Sequence, residues 1–453
     1  MSAAPIDPAA AVKALVRQLE DSQWASPSDI VASQFRHLGQ LAEYCNGQST
    51  FFARRLANAG LNPADLANPS GLARLPVLTR RDLQTSQREL FCREIPRGHG
   101  ESVEARTSGS TGEPVVVRRT GVTAIFWNAL AMRDLRWHRR HVSGRLCSIR
   151  ANVSSPVQRD DWGPPASLLA RTGPMLALPI AAEVARLVDW VVNFQPNMLV
   201  VYPSTLEAIA AYCRRRMIAL PELRHVLTTG ETLLPRIRVA AEETFDAVVA
   251  DCYSSQEVGY LALECPVSGL YHVMAESLMV EVLREDGSRC RPGEIGRVTV
   301  TDLHNYATPL VRYDIGDCAE VAPPCRCGRG LPTWKRILGR QRNFILMPDG
   351  TRHWPVTGFL RCRDVAPVLQ YQLVQEDRET IEARLVVERA LSKAEEDGLR
   401  RLFQAAVGHP FALRLSYVDG RIPAGPSGKY EEFVCHVADG CVAAAGETSS
   451  TSV

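Results

Sequence analysis

The chain has 453 residues, 52 of them Lys or Arg and 50 Asp or Glu, for a formal charge of +2. Such a balance gives no electrostatic reason for nucleic acid or an anionic membrane as partner, and the length exceeds what one core serves, so two domains are expected. No run of about 18 apolar residues and no basic-then-apolar leader occurs, which predicts a cytoplasmic protein whose 13 cysteines are reduced thiols or metal ligands rather than a disulfide framework.

Residues 1–30 are rich in Ala and Pro without clear period. Phe35, Leu38, Leu41 and Tyr44 then recur at helical spacing, followed by Phe51, Phe52, Leu56 and Leu61, which predicts a helical N-terminal region. Thr79 ahead of the charged turn Arg80-Arg81-Asp82 suits a helix N-cap. Next comes Thr107-Ser108-Gly109-Ser110-Thr111-Gly112-Glu113-Pro114. Its glycines let the backbone turn and approach a ligand, and successive N–H groups with hydroxyls form a concavity suited to a polyphosphate. An ordinary Ser/Gly-rich hairpin turn has the same composition. A Walker loop is excluded, because Glu113-Pro114 stands where its lysine belongs and the chain continues as a strand at Val115 to Val117.

From 120 to 250 the pattern alternates. Helices are predicted at Glu183 to Phe194, Thr205 to Met217 and Pro235 to Phe245, and strands at Met198 to Tyr202, Val226 to Thr229 and Ala247 to Tyr253. This alternation predicts parallel βαβ units, whose ligands bind at the carboxyl ends of the strands. There lie Tyr202-Pro203-Ser204, Thr229-Gly230-Glu231 and Tyr253-Ser254-Ser255. From Ser277 shorter strands, at Leu278 to Leu283 and Arg297 to Thr301, predict an antiparallel accessory sheet or barrel. Past Gly339-Arg340 a small α+β unit is expected: a hairpin at Pro348-Asp349-Gly350, strands at Ile381 to Val387 and Ala412 to Tyr417, and a helix at Ala394 to Val407. Residues 441–453 read as a disordered tail.

Cys265 and His272 are separated by six residues, and Cys325 and Cys327 sit in Pro-Pro-Cys-Arg-Cys-Gly. Together they supply a Cys₃His set, which suits a closed tetrahedral, structural Zn²⁺ site. Buried thiols beside a surface histidine are the alternative, since Cys-x-Cys is tighter than the commoner Cys-x₂-Cys.

Five segments in order carry a resemblance: the loop at 107–112, Tyr253-Ser254-Ser255-Gln256-Glu257, Arg312-Tyr313-Asp314-Ile315-Gly316-Asp317, Ile337-Leu338-Gly339-Arg340 and Gly425-Pro426-Ser427-Gly428-Lys429. In these the chain resembles the adenylate-forming (ANL) enzymes, and within them the phenylacetate-CoA ligase branch, over roughly residues 75–435. The branch is similar in the cysteine segments too. The implied fold is α/β: a large N-terminal domain (1–340) with βαβ layers and a small antiparallel β subdomain, then a small mobile α+β C-terminal domain (341–440). The implied activity is ATP-dependent activation of a carboxylic acid as an acyl adenylate, with acyl transfer to CoA by default.

The resemblance also implies the roles. Thr107, Ser108, Gly109, Ser110, Thr111 and Gly112 would hold the β and γ phosphates, and Glu257 would ligate Mg²⁺. Tyr253 would stack on adenine, with Ser254 and Ser255 beside it and Gly230, Glu231 and Thr232 alongside the base or sugar. Asp317 would take the ribose hydroxyls, Arg340 would position sugar or phosphate, and Lys429 would bring positive charge to the oxygens between carboxylate and α-phosphorus.

The chain departs from the branch at three places. Gln341-Arg342-Asn343 replaces an acidic hinge residue, and the segment from Phe344 to Gly350 differs from the glycine-containing one near the CoA pantetheine. Tyr260 stands where relatives have small residues lining the acid pocket, with Trp127, Trp137 and Tyr202 as further candidates. Adenylation is untouched by these changes. The acceptor stays open among CoA, an amine and a carrier-protein thiol, a homodimer is permitted, and a zinc-stabilised binding module is the non-catalytic alternative.

Overall fold

The computed structural model describes residues 7–106, 115–340, 345–350, 352–353, 362–420, 422–423, 430 and 432–437. The predicted phosphate loop from Thr107 to Gly112, the triplet Gln341-Arg342-Asn343, Lys429 and residues 441–453 lie outside the described residues, as does the Arg340 side chain. Two compact units result, the larger comprising Met1–Gln341 and Ala424–Tyr430 and the smaller Arg342–Pro423 and Glu431–Val453.

The N-terminal region is helical from further upstream than periodicity revealed. Asp7 caps the helix Pro8–Ser22 and Ser26 caps Pro27–Gln48, each with proline in the first turn, where a missing N–H costs nothing. The first helix buries only Val12, Val16 and Leu19, a stripe too thin to stand out among alanines. In the second, Phe35, Leu38 and Leu41 pack with Phe52, Leu56 and Leu61 in one cluster, as the spacing predicts. Thr79 caps the short helix Arg80–Thr85 in a capping box with Asp82.

Strands β1 (Val103–Arg106) and β2 (Val116–Arg119) pair antiparallel, with Arg106 opposite Val116. They are followed by β3 (Leu146–Arg150), β4 (Val157–Arg159), β5 (Met175–Pro179), β6 (Met198–Val201), β7 (His225–Thr229) and β8 (Val248–Ser255). After these come β9 (Gly259–Glu264), β10 (Tyr271–Val273), β11 (Leu278–Leu283), β12 (Ile295–Asp302), β13 (Tyr313–Val321) and β14 (Thr333–Arg340). From β3 onward they form one twelve-stranded sheet in the order β11-β12-β13-β14-β10-β9-β8-β7-β6-β3-β5-β4.

Strands β3, β5, β6, β7 and β8 run parallel. Gly259, at φ +87°, lets β9 turn back on β8, and the sheet is antiparallel from there. The strands expected as an accessory sheet or barrel thus extend the parallel sheet through β9 and β10. Along β6, Leu199 and Val201 enter one core cluster while Met198 and Val200 enter another, the alternation of a strand buried on both faces. The first cluster holds the helices Val184–Phe194, Pro203–Arg216 and Pro235–Phe245, and the second holds Gly121–Trp137 and Pro8–Ser22.

In the smaller unit, Val368–Gln375 and Thr380–Val387 pair antiparallel, with Ala412–Tyr417 and Phe433–Cys435 parallel at the edges. The helix Lys393–Val407 packs Leu399 and Phe403 with Leu373, Ile381 and Leu385. Ser392 caps that helix in a capping box with Glu395, and Gly408 ends it at φ +72°.

Candidate active site

The carboxyl ends of β6, β7 and β8 bring the predicted nucleotide residues to one side of the sheet. Gly230, after β7, has φ +81°, and a Cβ there would lie 2.7 Å from Tyr202 Cε1, so only glycine lets this loop lie against the tyrosine. Glu231 accepts from the Ser204 N–H at 2.9 Å and from the Ser204 hydroxyl at 3.1 Å. Its carboxylate therefore sits at the N-terminus of the helix Pro203–Arg216, where negative charge is favoured, and ties the β6 and β7 loops together. Thr232 follows it, half-buried.

The Tyr253 hydroxyl donates to the Asp317 carboxylate at 2.5 Å, and the Tyr253 ring lies 6.1 Å from that of Trp334. Asp317 is also the register partner of Arg340 across β13 and β14. Predicted adenine, ribose and phosphate residues are thereby neighbours, although 64 residues separate Tyr253 from Asp317. Ser254 faces Tyr260 across β8 and β9, and the Ser255 hydroxyl accepts from the Val258 N–H at 3.2 Å. Between them, the turn that carries Glu257 is held tightly.

Glu257 is buried, 5% exposed, with the Arg80 guanidinium 4.0 Å away. A buried carboxylate with so distant a counter-charge is suited to receive a cation. It also lines a small pocket, partly open to solvent. Aromatic walls come from Trp127 and Tyr260, whose rings are 5.3 Å apart, and from Phe126, on which His304 stacks at 4.1 Å and 18°. Of the residues named for the acid pocket, Trp127 and Tyr260 are there. Trp137 instead donates its Nε1–H to Gln23 Oε1 at 2.9 Å and packs on His272, while Tyr202 lies against Gly230.

Three ionisable groups in this cavity have no counterpart in the sequence analysis: Arg119, Asp302 and His304. The only signal was local, two arginines ending a valine strand and an acid and a histidine beside Asn305. Burial pushes the Asp302 carboxyl up to about 7, although the backbone N–H groups of His304 and Asn305 oppose the shift. Burial also drives His304 down to about 4, and its Nε2–H then donates to the Glu276 carbonyl at 3.1 Å. Arg119 is lowered by burial, with Glu257 and Asp302 acting in the opposite sense.

A second constellation forms at the end of β9. The ligand atoms of Cys265, His272, Cys325 and Cys327 all lie within 4.8 Å of one another. Cys265 and Cys325 Sγ are 3.8 Å apart, close to the ~3.8 Å edge of a tetrahedron with Zn–S bonds of about 2.3 Å. Cys327 Sγ is 3.2 Å from His272 Nε2, while His272 Nδ1 faces the Leu331 carbonyl at 3.4 Å, which leaves Nε2 as the ligand atom. Burial raises the Cys265 thiol, but hydrogen bonds with His272, Val267 and Ser268 bring it down to about 5, toward the thiolate that binds metal. The predicted four residues are together, and their donor set fits a closed metal site.

In sequence, the chain is 26% identical over 376 residues to a phenylacetate-coenzyme A ligase of Thermus thermophilus, covering 79% of this chain and 81% of that one. In structure, it matches 2-hydroxyisobutyryl-CoA ligase in the postadenylation state with a TM-score of 0.71 at 20% identity, covering 89% and 88% of the two chains. An amide bond synthetase from Marinactinospora thermotolerans also matches, at a TM-score of 0.51 and 18% identity over 75% and 69%. No family model matches the chain. The fold is that of adenylate-forming ligases.

Proposed function

We propose that this relative of the phenylacetate-CoA ligases is an AMP-forming acid ligase that activates a small carboxylic acid with ATP. The observation that carries the reading is the meeting of Tyr253, Asp317 and the Arg340 backbone across β8, β13 and β14, with Glu257 at the wall of a ring-lined cavity. A carboxylate oxygen of the acid attacks the α-phosphorus of ATP, the bond to the β-phosphate oxygen breaks, and pyrophosphate leaves. In-line phosphoryl chemistry asks for position and charge. Asp317 holds the ribose, Tyr253 orients Asp317 and stacks on the base, and Lys429 neutralises the oxygens between acid and phosphorus. Thr107 to Gly112 cradle the departing phosphates. Glu257 is the ligand for Mg²⁺, which supplies Lewis-acid stabilisation of the phosphates when bound.

The acyl group then passes from the adenylate to an acceptor. Likeness to named CoA ligases favours the thiol of CoA, and residues 341–440 are read as the mobile domain that carries Lys429. An amide bond synthetase shares the fold, so the fold alone does not select the acceptor. The Cys₃His set we assign to structural Zn²⁺, fastening the turn after β9 and β10 to the loop before β14.

The test is ATP-dependent pyrophosphate release across aryl, aliphatic and amino acids, with and without CoA, products being followed by mass. Release with at least one acid, abolished in Lys429→Ala while the fold is kept, is expected. Failure of every acid, or full activity in Lys429→Ala, would overturn the reading.

A further inference from the structure

The cavity is not built for a plain hydrocarbon acid. Asp302 is 5% exposed and is held by backbone N–H groups of the turn it opens, that of His304 donating to Oδ1 at 3.0 Å and that of Asn305 beside it. Arg119 is half-buried with its guanidinium 5.5 Å from the Trp127 ring. Neither makes an ion pair with a described residue, and the two do not pair with each other. A carboxyl raised by burial and a guanidinium thus line one small space beside aromatic walls, at a cost in desolvation that a ligand with matching polar groups offsets. His304 does not provide the match, because its Nε2–H is engaged by the Glu276 carbonyl. Glu257, the other carboxylate lining the cavity, faces Arg80.

Resting on the ligase reading above, we propose that the acid is a small aromatic acid bearing a hydrogen-bond donor, an amino or hydroxyl group, and that Asp302 accepts from it. The ring lies among Trp127, Phe126 and Tyr260. Arg119, which feels both Glu257 and Asp302, is the cationic group in the cavity that the carboxylate meets. Asp302 is a specificity residue in this account. A site built to hydrogen-bond a substrate donor discriminates strongly against the analogue lacking it, because the protein group is then left buried and unpaired.

The experiment compares aromatic acids matched in size, unsubstituted or bearing an amino, a hydroxyl or a methoxy group, the last an acceptor only. Pyrophosphate release gives kcat/KM, and calorimetric binding of the same acids to the full chain gives a readout that does not need turnover. The wild type is expected to favour a donor-bearing acid by about a hundredfold or more, the amino and hydroxyl arms showing which donor it is. Asp302→Asn keeps Oδ1 for the His304 N–H but presents an NH₂ in place of the second oxygen. It should shift preference toward the methoxy acid, while a melting curve reports that it is folded. Equal use of unsubstituted and donor-bearing acids by the wild type, or an unaltered preference in folded Asp302→Asn, would overturn the inference and leave the ligase reading standing. Release with no acid at all would overturn both.

Discussion

Asp302→Asn should also stabilise the ligand-free protein, and more so as the pH rises. In the folded chain the Asp302 carboxyl keeps its proton up to about 7, whereas its ordinary value, taken here for the unfolded chain, is 3.8. Its folded value is raised, so its contribution to stability is fully present below 3.8 and lost as pH climbs to about 7. At ~1.36 kcal/mol per pH unit, this loss amounts to as much as about 4 kcal/mol, of which roughly 2–3 falls between pH 5 and pH 8. Asparagine has the same shape, retains the Oδ1 bond to the His304 N–H and never ionises. Arg119 and Glu257 remain around it in both proteins, so their contributions largely cancel in the comparison. Urea denaturation of the two proteins at pH 5 and pH 8 should show the gap widening in favour of the variant by about that much. A gap that stays constant, or a wild type more stable at pH 8, would mean that Asp302 is ionised and satisfied in the fold, and the reasoning would fail. The expected outcome is that of a residue retained for binding at the expense of stability.

Three further outcomes are expected. Chelation, or Cys325→Ser, should strip one metal ion per chain and lower stability by about 4 kcal/mol where free metal had stood a thousandfold above its Kd; a metal-free protein with the same melting temperature would contradict the site. Gly230→Ala should lower the melting temperature and raise the KM for ATP, since φ +81° costs a Cβ residue about 1–2 kcal/mol before contact with Tyr202 is counted. Tyr253→Phe removes the donor to Asp317, and loss of one such bond, about 1 kcal/mol, should raise the KM for ATP about fivefold with the thermal midpoint little changed.

The parallel half of the fold was legible because its strands and helices obey single periods. The predicted helix Pro235 to Phe245 is the observed one, and the strands before and after it differ by a residue or two. Where burial is on both faces or the apolar stripe is thin, the pattern blurs, as in Pro8–Ser22. The continuity of the sheet from β8 through β9 depends on the turn at Gly259, whose positive φ no periodicity announces. Site residues at strand ends were legible from their order along the chain, and the Cys₃His set from spacing and residue type. Arg119, Asp302 and His304 were not, because they come from elements 183 or more residues apart in part, β2 and the end of β12, and only the folded sheet brings them to one cavity.

The central claim is that a carboxylate attacks the α-phosphorus, and an oxygen-label experiment tests it most directly. The protein is incubated with ATP, the preferred acid labelled with ¹⁸O in its carboxylate, and an acceptor, and the nucleotide product is weighed by mass spectrometry. Attack at the α-phosphorus leaves one labelled oxygen on AMP when the acyl group departs, and pyrophosphate carries none. Label in inorganic phosphate with ADP as the nucleotide product, or AMP without label, would contradict the account.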